Sequence, residues 1–303
     1  MIGFYKSFFQ FLTRTFFLFL LFALIFPASG ASAKIFPLSP STRLVGAVST
    51  YTVKEGESLI EIARKFDLGY NAIIQANPGI DPFVPGDGIS VTIPSRWILP
   101  SVESQTGIVI NLSEFRLYYF FGKADARFVQ TFPVGIGSEG HETPLGVFKI
   151  IEKTANPAWY VPKSIQLENP ALPKVVPPGP DNPLGTHALR LSNPSVLLHG
   201  TNRPFAVGRM DSHGCLRLYP EDIPILFMLV SKGTTVTIVR QPIKVVVEVD
   251  RVYMEVHNDP YVEVTLQDVA NLLIRKGLLG RVNAVKMREV FNKKDGIPED
   301  ITY

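Results

Sequence analysis

The sequence predicts a mainly β central domain, a sandwich or barrel, set between a small α+β unit and a small α/β appendage. Three observations predict it. Between residues 107 and 240, β-branched and aromatic runs alternate while helical periodicity is sparse. A unit of about 45 residues ahead of it reads strand, helix, helix, strand. Two apolar runs and two helical stretches close the chain after residue 240. A length of 303 residues, 46% of them hydrophobic, suffices for such multi-part packing and excludes a wholly disordered chain. The formal charge is only +3, from 30 basic and 27 acidic residues, with no block of like charge. No nucleic-acid partner is therefore expected.

The first 33 residues read as an export signal. Lys6 and Arg14 are the only charges before Lys34, Phe16 to Phe26 is an apolar run of 11 residues, and Pro27 leads to Ala31-Ser32-Ala33. A basic start, a short apolar stretch and a small-residue A-x-A exit form the secretory pattern. The run is short for a membrane span, which needs about 20 residues. No cysteine lies near the exit to accept a lipid. The expected location is the periplasm or cell envelope. Residues 34–50 are expected to be a linker.

Residues 51–94 come next. Tyr51-Thr52-Val53 alternates as a strand, Gly56-Glu57-Ser58 marks a turn, and Ser58 is placed to cap a helix. Leu59, Ile62, Ala63 and Phe66 recur at helical spacing. Asn71 to Ala76 predicts a second short helix, stopped by Asn77-Pro78-Gly79, and Gly88 to Pro94 predicts the closing strand.

In residues 107–240, Ile108 to Leu112 and Phe115 to Phe120 predict a hairpin. Phe128–Val134, Gly146–Ile151 and Thr234–Val239 predict further strands, and Ile223–Val230 the best helix. Pro157 to Pro183 holds eight prolines and predicts a surface excursion or lid, since proline cannot serve a central strand. In residues 241–303, Val245 to Val256 predicts two strands around Asp250-Arg251. Leu266–Leu279 and Arg281–Phe291 predict helices, and no chemistry is visible there.

The chemistry concentrates between His199 and Arg217. The chain has one cysteine, so no disulfide forms within it. A lone cysteine is by itself only a small apolar residue. Here Ser195-Val196-Leu197-Leu198 delivers His199-Gly200-Thr201, and a loop returns to Ser212-His213-Gly214-Cys215-Leu216-Arg217. A thiol becomes a nucleophile once an imidazole takes its proton, and the same imidazole returns that proton to a leaving amine. Gly214 lets backbone amides approach an oxyanion. Arg217 supplies a fixed charge for the thiol or for a carboxylate. A metal site on His199, His213 and Cys215 lacks the usual ligand spacing. His141, His187 and His257 read as ordinary histidines, and no metal or cofactor is expected.

Two resemblances attach to these residues. Tyr51 to Ala63, the later Asn77-Pro78-Gly79 and the final Ile89 to Pro94 resemble a LysM module. That resemblance implies N-acetylglucosamine-containing glycan held between Gly56, Glu57, Ser58 and Leu59 on one loop and Asn77, Pro78, Gly79 and Ile80 on another. The stretch from His199 to Arg217, with Thr143 to Phe148 and Pro177 to Gly185, resembles the YkuD-type L,D-transpeptidases over about 107–240. It implies an L,D-transpeptidase-type β-sandwich or barrel with Cys215 as nucleophile and His199 as proton acceptor and donor. The Gly200 carbonyl would orient that imidazole. His213, Gly214 and the Cys215 amide would shape the oxyanion site, and Arg217, Ser212 and Thr201 would bind substrate or support the loop. The implied reaction releases terminal D-alanine from a peptidoglycan tetrapeptide and passes the acyl group to an amine. That amine belongs to a neighbouring stem or to an outer-membrane lipoprotein. A Cys-His peptide hydrolase and an inert wall-binding protein are the alternatives.

Overall fold

The computed structural model describes residues 34–123 and 126–303, so the expected signal lies outside the described residues. The chain enters as β1 (Ile35–Leu38) and β2 (Leu44–Thr52). Residues 34–50 are thus strands rather than a linker, and two ladders explain why. Ile35 to Leu38 pair antiparallel with Gln130 to Arg127, covering what would otherwise be an open sheet edge. Leu44 to Thr52 pair residue for residue with Ile98 to Ser90. The short strand expected at Tyr51 is the end of this longer one.

The first unit continues through α1 (Leu59–Lys65), α2 (Tyr70–Gln75) and β3 (Ser90–Ile98). Ser58 caps α1 as expected, and Glu61 reaches back to the Ser58 amide at 2.9 Å, completing a capping box. Leu59, Ile62, Ala63 and Ile73 are buried against Val91 and Ile93.

The central domain contributes β4 (Gly107–Asn111), β5 (Arg116–Lys123), β6 (Ala126–Pro133), β7 (Ile136–Gly137) and β8 (Gly146–Ala155). Then come β9 (Trp159–Tyr160), α3 (Lys163–Glu168) and β10 (Val175–Val176), followed by β11 (His187–Leu191) and β12 (Leu197–His199). It closes with β13 (Met210–Ser212), β14 (Leu216–Arg217), α4 (Asp222–Leu229) and β15 (Thr235–Val239). One nine-stranded sheet runs β1-β6-β5-β4-β15-β8-β11-β12-β14. Its ladders are antiparallel except β15 on β4 and β14 on β12. Successive residues of a strand face opposite sides, and here both sides are covered. Ile108, Ile110, Leu117 and Phe132 face a core closed by Ile223 and Leu226 of α4. Val109, Tyr118, Phe120 and Val129 face the other way and share a core with the first unit. This explains the unbroken apolar runs of β4 and β5.

The seam between the two units is close. Arg64 grips Glu221 with two bonds of 2.7 and 2.8 Å. The Tyr70 and Asn71 amides donate to the carbonyls of Val207 and Gly208. A Cβ on Gly208 would stand 2.3 Å from the Tyr70 nitrogen, so only glycine permits this approach.

The appendage pairs β16 (Ile243–Glu248), β17 (Arg251–Val256) and β18 (Glu299–Asp300), covered by α5 (Leu266–Arg275) and α6 (Ala284–Lys293). It is docked by a buried charged knot. Lys244 Nζ lies 2.7 Å from Glu114, 2.8 Å from Glu255 and 2.7 Å from the Ile98 carbonyl. His257 Nε2 lies 2.6 Å from Glu255. His257 is therefore a structural partner in this knot.

The excursion at 157–183 is built as expected for a proline-rich surface segment. Its β9–β10 ribbon and α3 lie largely exposed. Buried Asn182 ties its ends, donating to the carbonyls of Pro157 at 2.8 Å and Pro177 at 3.1 Å while accepting from the Leu184 amide.

Candidate active site

Strand pairing brings the motif together. Parallel β12 and β14 place Leu198 beside Leu216 and His199 beside Arg217, so Cys215 enters the ladder one residue ahead. The intervening loop returns through β13, which pairs with β7. The Cys215 Sγ lies 3.7 Å from the Ser195 carbonyl. Burial raises its pKa above the usual thiol value, against the Leu197 amide and the charges of Arg217 and Arg190, which lower it.

His199 is buried, and its Nδ1 lies 2.6 Å from the Gly200 carbonyl oxygen. A carbonyl only accepts, so Nδ1 carries the proton and Nε2 presents a lone pair. Burial, helped by the Arg217 charge, depresses the imidazole pKa to about 4, against the Gly200 hydrogen bond. Burial thus favours the neutral form of both groups.

The remaining motif residues hold the loop. Ser212 is buried and its hydroxyl donates to the Cys215 carbonyl at 2.6 Å. Gly214 sits at φ +93°, a conformation open to glycine, while a Cβ there would meet only ordinary contacts. Gly200 packs against Ile223, and Thr201 Oγ1 accepts from the Arg203 amide at 2.9 Å. Arg217 binds Asp211 at 2.6 Å and its backbone exchanges two hydrogen bonds with Gly135. His213 is exposed and turns toward α3, its Nε2 lying 3.0 Å from Glu168. The His141 ring stands 4.4 Å from it, centroid to centroid.

Three contributors escaped the sequence reading. Glu168 comes from the excursion and His141 from the loop after β7, and only the fold makes them neighbours of His213. Tyr261 comes from the appendage, and its hydroxyl donates to the Gly137 carbonyl in the strand that pairs with β13. A tyrosine 46 residues beyond the cysteine gives no local signal of that contact.

The first candidate glycan loop is tied to the segment just after the second, the Leu59 amide donating to the Pro82 carbonyl at 2.9 Å. Leu59 and Asn77 offer no side chain to a ligand. Leu59 fills the core, and buried Asn77 bonds to the Ile73 and Thr92 carbonyls and the Thr92 amide. Ser58 caps α1, and Glu57 accepts from the Tyr51 hydroxyl and pairs with Lys65. Gly56, Pro78 and Gly79 are exposed and Ile80 half-buried. Phe83 and Val84, which the reading passed over, stand 64% and 76% exposed beside them.

Known families and proteins resemble this chain over both units. Residues 105–238 match the YkuD L,D-transpeptidase catalytic domain and residues 51–83 match the LysM domain. An Escherichia coli K12 protein named "Probable L,D-transpeptidase YcfS" is 38% identical over 288 residues, 89% of this chain and 89% of that one. Another from the same strain, "Probable L,D-transpeptidase YbiS", is 40% identical over 246 residues, 78% and 79% of the two chains. The NMR structure of the catalytic domain of an E. faecium L,D-transpeptidase aligns at 21% identity with a TM-score of 0.35, covering 46% of this chain and 99% of that one. With its Cys-His motif set on a mainly β domain behind a LysM unit, the chain belongs to the YkuD L,D-transpeptidase family of enzymes.

Proposed function

We propose that this L,D-transpeptidase is exported and acts in the envelope on peptidoglycan tetrapeptide stems. The observation that carries the reading is the fixed tautomer of His199. Its Nδ1–H is held by Gly200, which leaves Nε2 as the base for the loop bearing Cys215. The Cys215 sulfur attacks the carbonyl between the L-centre of the third residue and the terminal D-alanine. Its proton passes to His199 Nε2 and the C–S bond forms. Amides at Gly214 and Cys215, with His213 nearby, receive the oxyanion. The C–N bond then breaks, His199 returns the proton to the amine, and D-alanine departs. The thioester keeps the energy of the cleaved amide for transfer to an amine, with no ATP required.

Residues 51–94 would hold the glycan strand through Gly56, Pro78, Gly79 and Ile80 and the exposed Phe83. Residues 107–240 would carry the chemistry, with Arg217 facing the substrate carboxylate. The acceptor amine is a diaminopimelate side chain, giving a 3–3 crosslink, or a lipoprotein lysine. The excursion at 157–183 would restrict water. Shortening it is expected to raise hydrolysis relative to transfer, and an unchanged ratio removes that role.

The test is intact mass after mixing the purified protein with a disaccharide-tetrapeptide, beside Cys215→Ala. An adduct lacking D-alanine, absent from the variant, is expected. Sacculi with either amine then identify the acceptor by product mass. No adduct and no released D-alanine, from folded protein, would overturn the reading. Amino-terminal sequencing of the envelope-located protein tests export, with a start at Lys34 expected.

A further inference from the structure

We propose that His141, Glu168 and His213 form a divalent transition-metal site, with zinc as its natural probe, that clamps the excursion onto the nucleophile loop. The three residues come from three separate segments. His141 lies in the loop after β7, His213 two residues before Cys215, and Glu168 at the end of α3 in the excursion. His213 Nε2 lies 3.0 Å from one Glu168 oxygen and His141 Nε2 lies 3.9 Å from the other. The three ligand atoms all stand within 4.8 Å of one another.

This spacing suits a metal. Zinc binds imidazole nitrogen and carboxylate oxygen at ~2.0–2.2 Å, which sets tetrahedral ligand atoms roughly 3.3 Å apart. The observed 3.0 and 3.9 Å bracket that value, so small side-chain rotations complete the set. Two imidazoles and one carboxylate form a donor set that zinc accepts while keeping a position for water. The side chains are 42%, 51% and 37% exposed, so an ion reaches them from solvent.

The backbone holds two of the ligands in advance. The His141 amide donates to the Ser138 carbonyl, and the Ser138 amide donates to Ser212. That links the His141 loop to the strand that precedes His213. Glu168 alone rides on the exposed excursion, so a bound ion is what would fix it. Among the described residues, a second histidine–carboxylate cluster, Glu114, Glu255 and His257, already holds the Lys244 ammonium and has no place for a second cation.

Calorimetric titration of zinc into the purified, tag-free protein tests the site. One site is expected in the unaltered chain. His141→Gln and Glu168→Gln, each checked for fold by circular dichroism, are expected to weaken it by roughly tenfold or more. Cys215→Ala is expected to bind as the parent does, and cobalt(II) in the site should show no thiolate charge-transfer band. Hydrogen exchange across 163–168 should slow with zinc in the parent and not in Glu168→Gln. Loss of binding in Cys215→Ala alone would make the thiol the ligand and overturn the proposal. So would equal affinity in parent, His141→Gln and Glu168→Gln, or no zinc binding by the parent. These readouts are blind to acyl transfer, so a failed titration leaves the Cys215 reading untouched.

Discussion

Two seams border the catalytic domain, and they are built on opposite principles. The inner seam, facing the LysM unit and the appendage, is closed by buried charge and continuous apolar packing. Lys244, Glu114 and Glu255 lie within it at 2% exposure or less, and the sheet's outer face shares one core with α1, α2 and β3. The outer seam, under the excursion, is anchored by buried Asn182 and bridged by exposed Glu168 to His213 and His141. A buried ion network is costly to disrupt, whereas an exposed pair contributes at most about 1 kcal/mol. The difference teaches where motion is permitted. The scaffold that positions His199 and Cys215 is fixed from behind by buried groups, while the segment over the nucleophile loop meets it through exposed side chains.

The strongest way to break the contrast is at Lys244. Lys244→Met leaves Glu114 and Glu255 buried without their cation. It is expected to cost about 3–5 kcal/mol. Because Glu255 also accepts from the Ile98 amide, first unit and appendage should loosen in the same transition. Denaturant unfolding followed by fluorescence of Trp97 and Trp159 checks this. A loss below about 1 kcal/mol would mean that the knot is replaceable and that the inner seam is held by apolar packing alone.

The next effect belongs to Asn182. Asn182→Ala strands the Pro157 carbonyl and the Leu184 amide in a buried place, at about 1–3 kcal/mol for each group left unpaired, and releases the exposed Pro177 carbonyl. The excursion can open without unfolding the sheet, so the cost should appear locally. Limited proteolysis is expected to cut within 160–176 well before the rest of the chain, with global stability falling less than in Lys244→Met. Simultaneous loss of both would show that the excursion is part of the scaffold.

Much of this was legible in the sequence because the signals were local. Ser58 with Glu61, the Ile108–Phe120 hairpin and the helix after Pro220 each rest on neighbours within a few residues. The pairing of His199 with the Cys215 segment was also legible, since both motifs carry the residue types that the chemistry needs. The illegible part was long-range. The strands within 34–50 are set by partners at 127–130 and 90–98, not by their own composition. Val109 and Tyr118 face a second core that no pattern within β4 and β5 distinguishes from the first. Among the candidate glycan residues, Asn77 reads as a surface turn signal, yet its amide is consumed by Ile73 and Thr92. His141 and His257 read alike, and only tertiary contact separates an exposed partner of His213 from a buried partner of Glu255.

The smallest effect sharpens the contrast, because the inner seam contains a pair of buried acids that resist ionisation. Asp67, between α1 and α2, faces Asp222 at the start of α4 beside the Arg64–Glu221 pair. Burial pushes the Asp67 carboxyl up to about 7, against the pull of Arg116. Burial and the Asp67 charge push Asp222 well above the usual carboxylate range. Both acids bind protons more tightly folded than unfolded. The Asp67 contribution is complete below the unfolded value near 4 and is lost as pH rises through about 7, and that of Asp222 is lost above the usual carboxylate range. The parent should therefore lose stability between pH 5 and pH 8. Asp222→Asn keeps a donor toward Asp67 and removes one titrating group, so its loss should be smaller. A difference of about 1 kcal/mol corresponds to roughly 2–4 °C in Tm for a chain of this order of size. Thermal unfolding of both proteins at the two pH values measures it. Parallel shifts in parent and variant would place the proton elsewhere and leave the inner seam insensitive to pH.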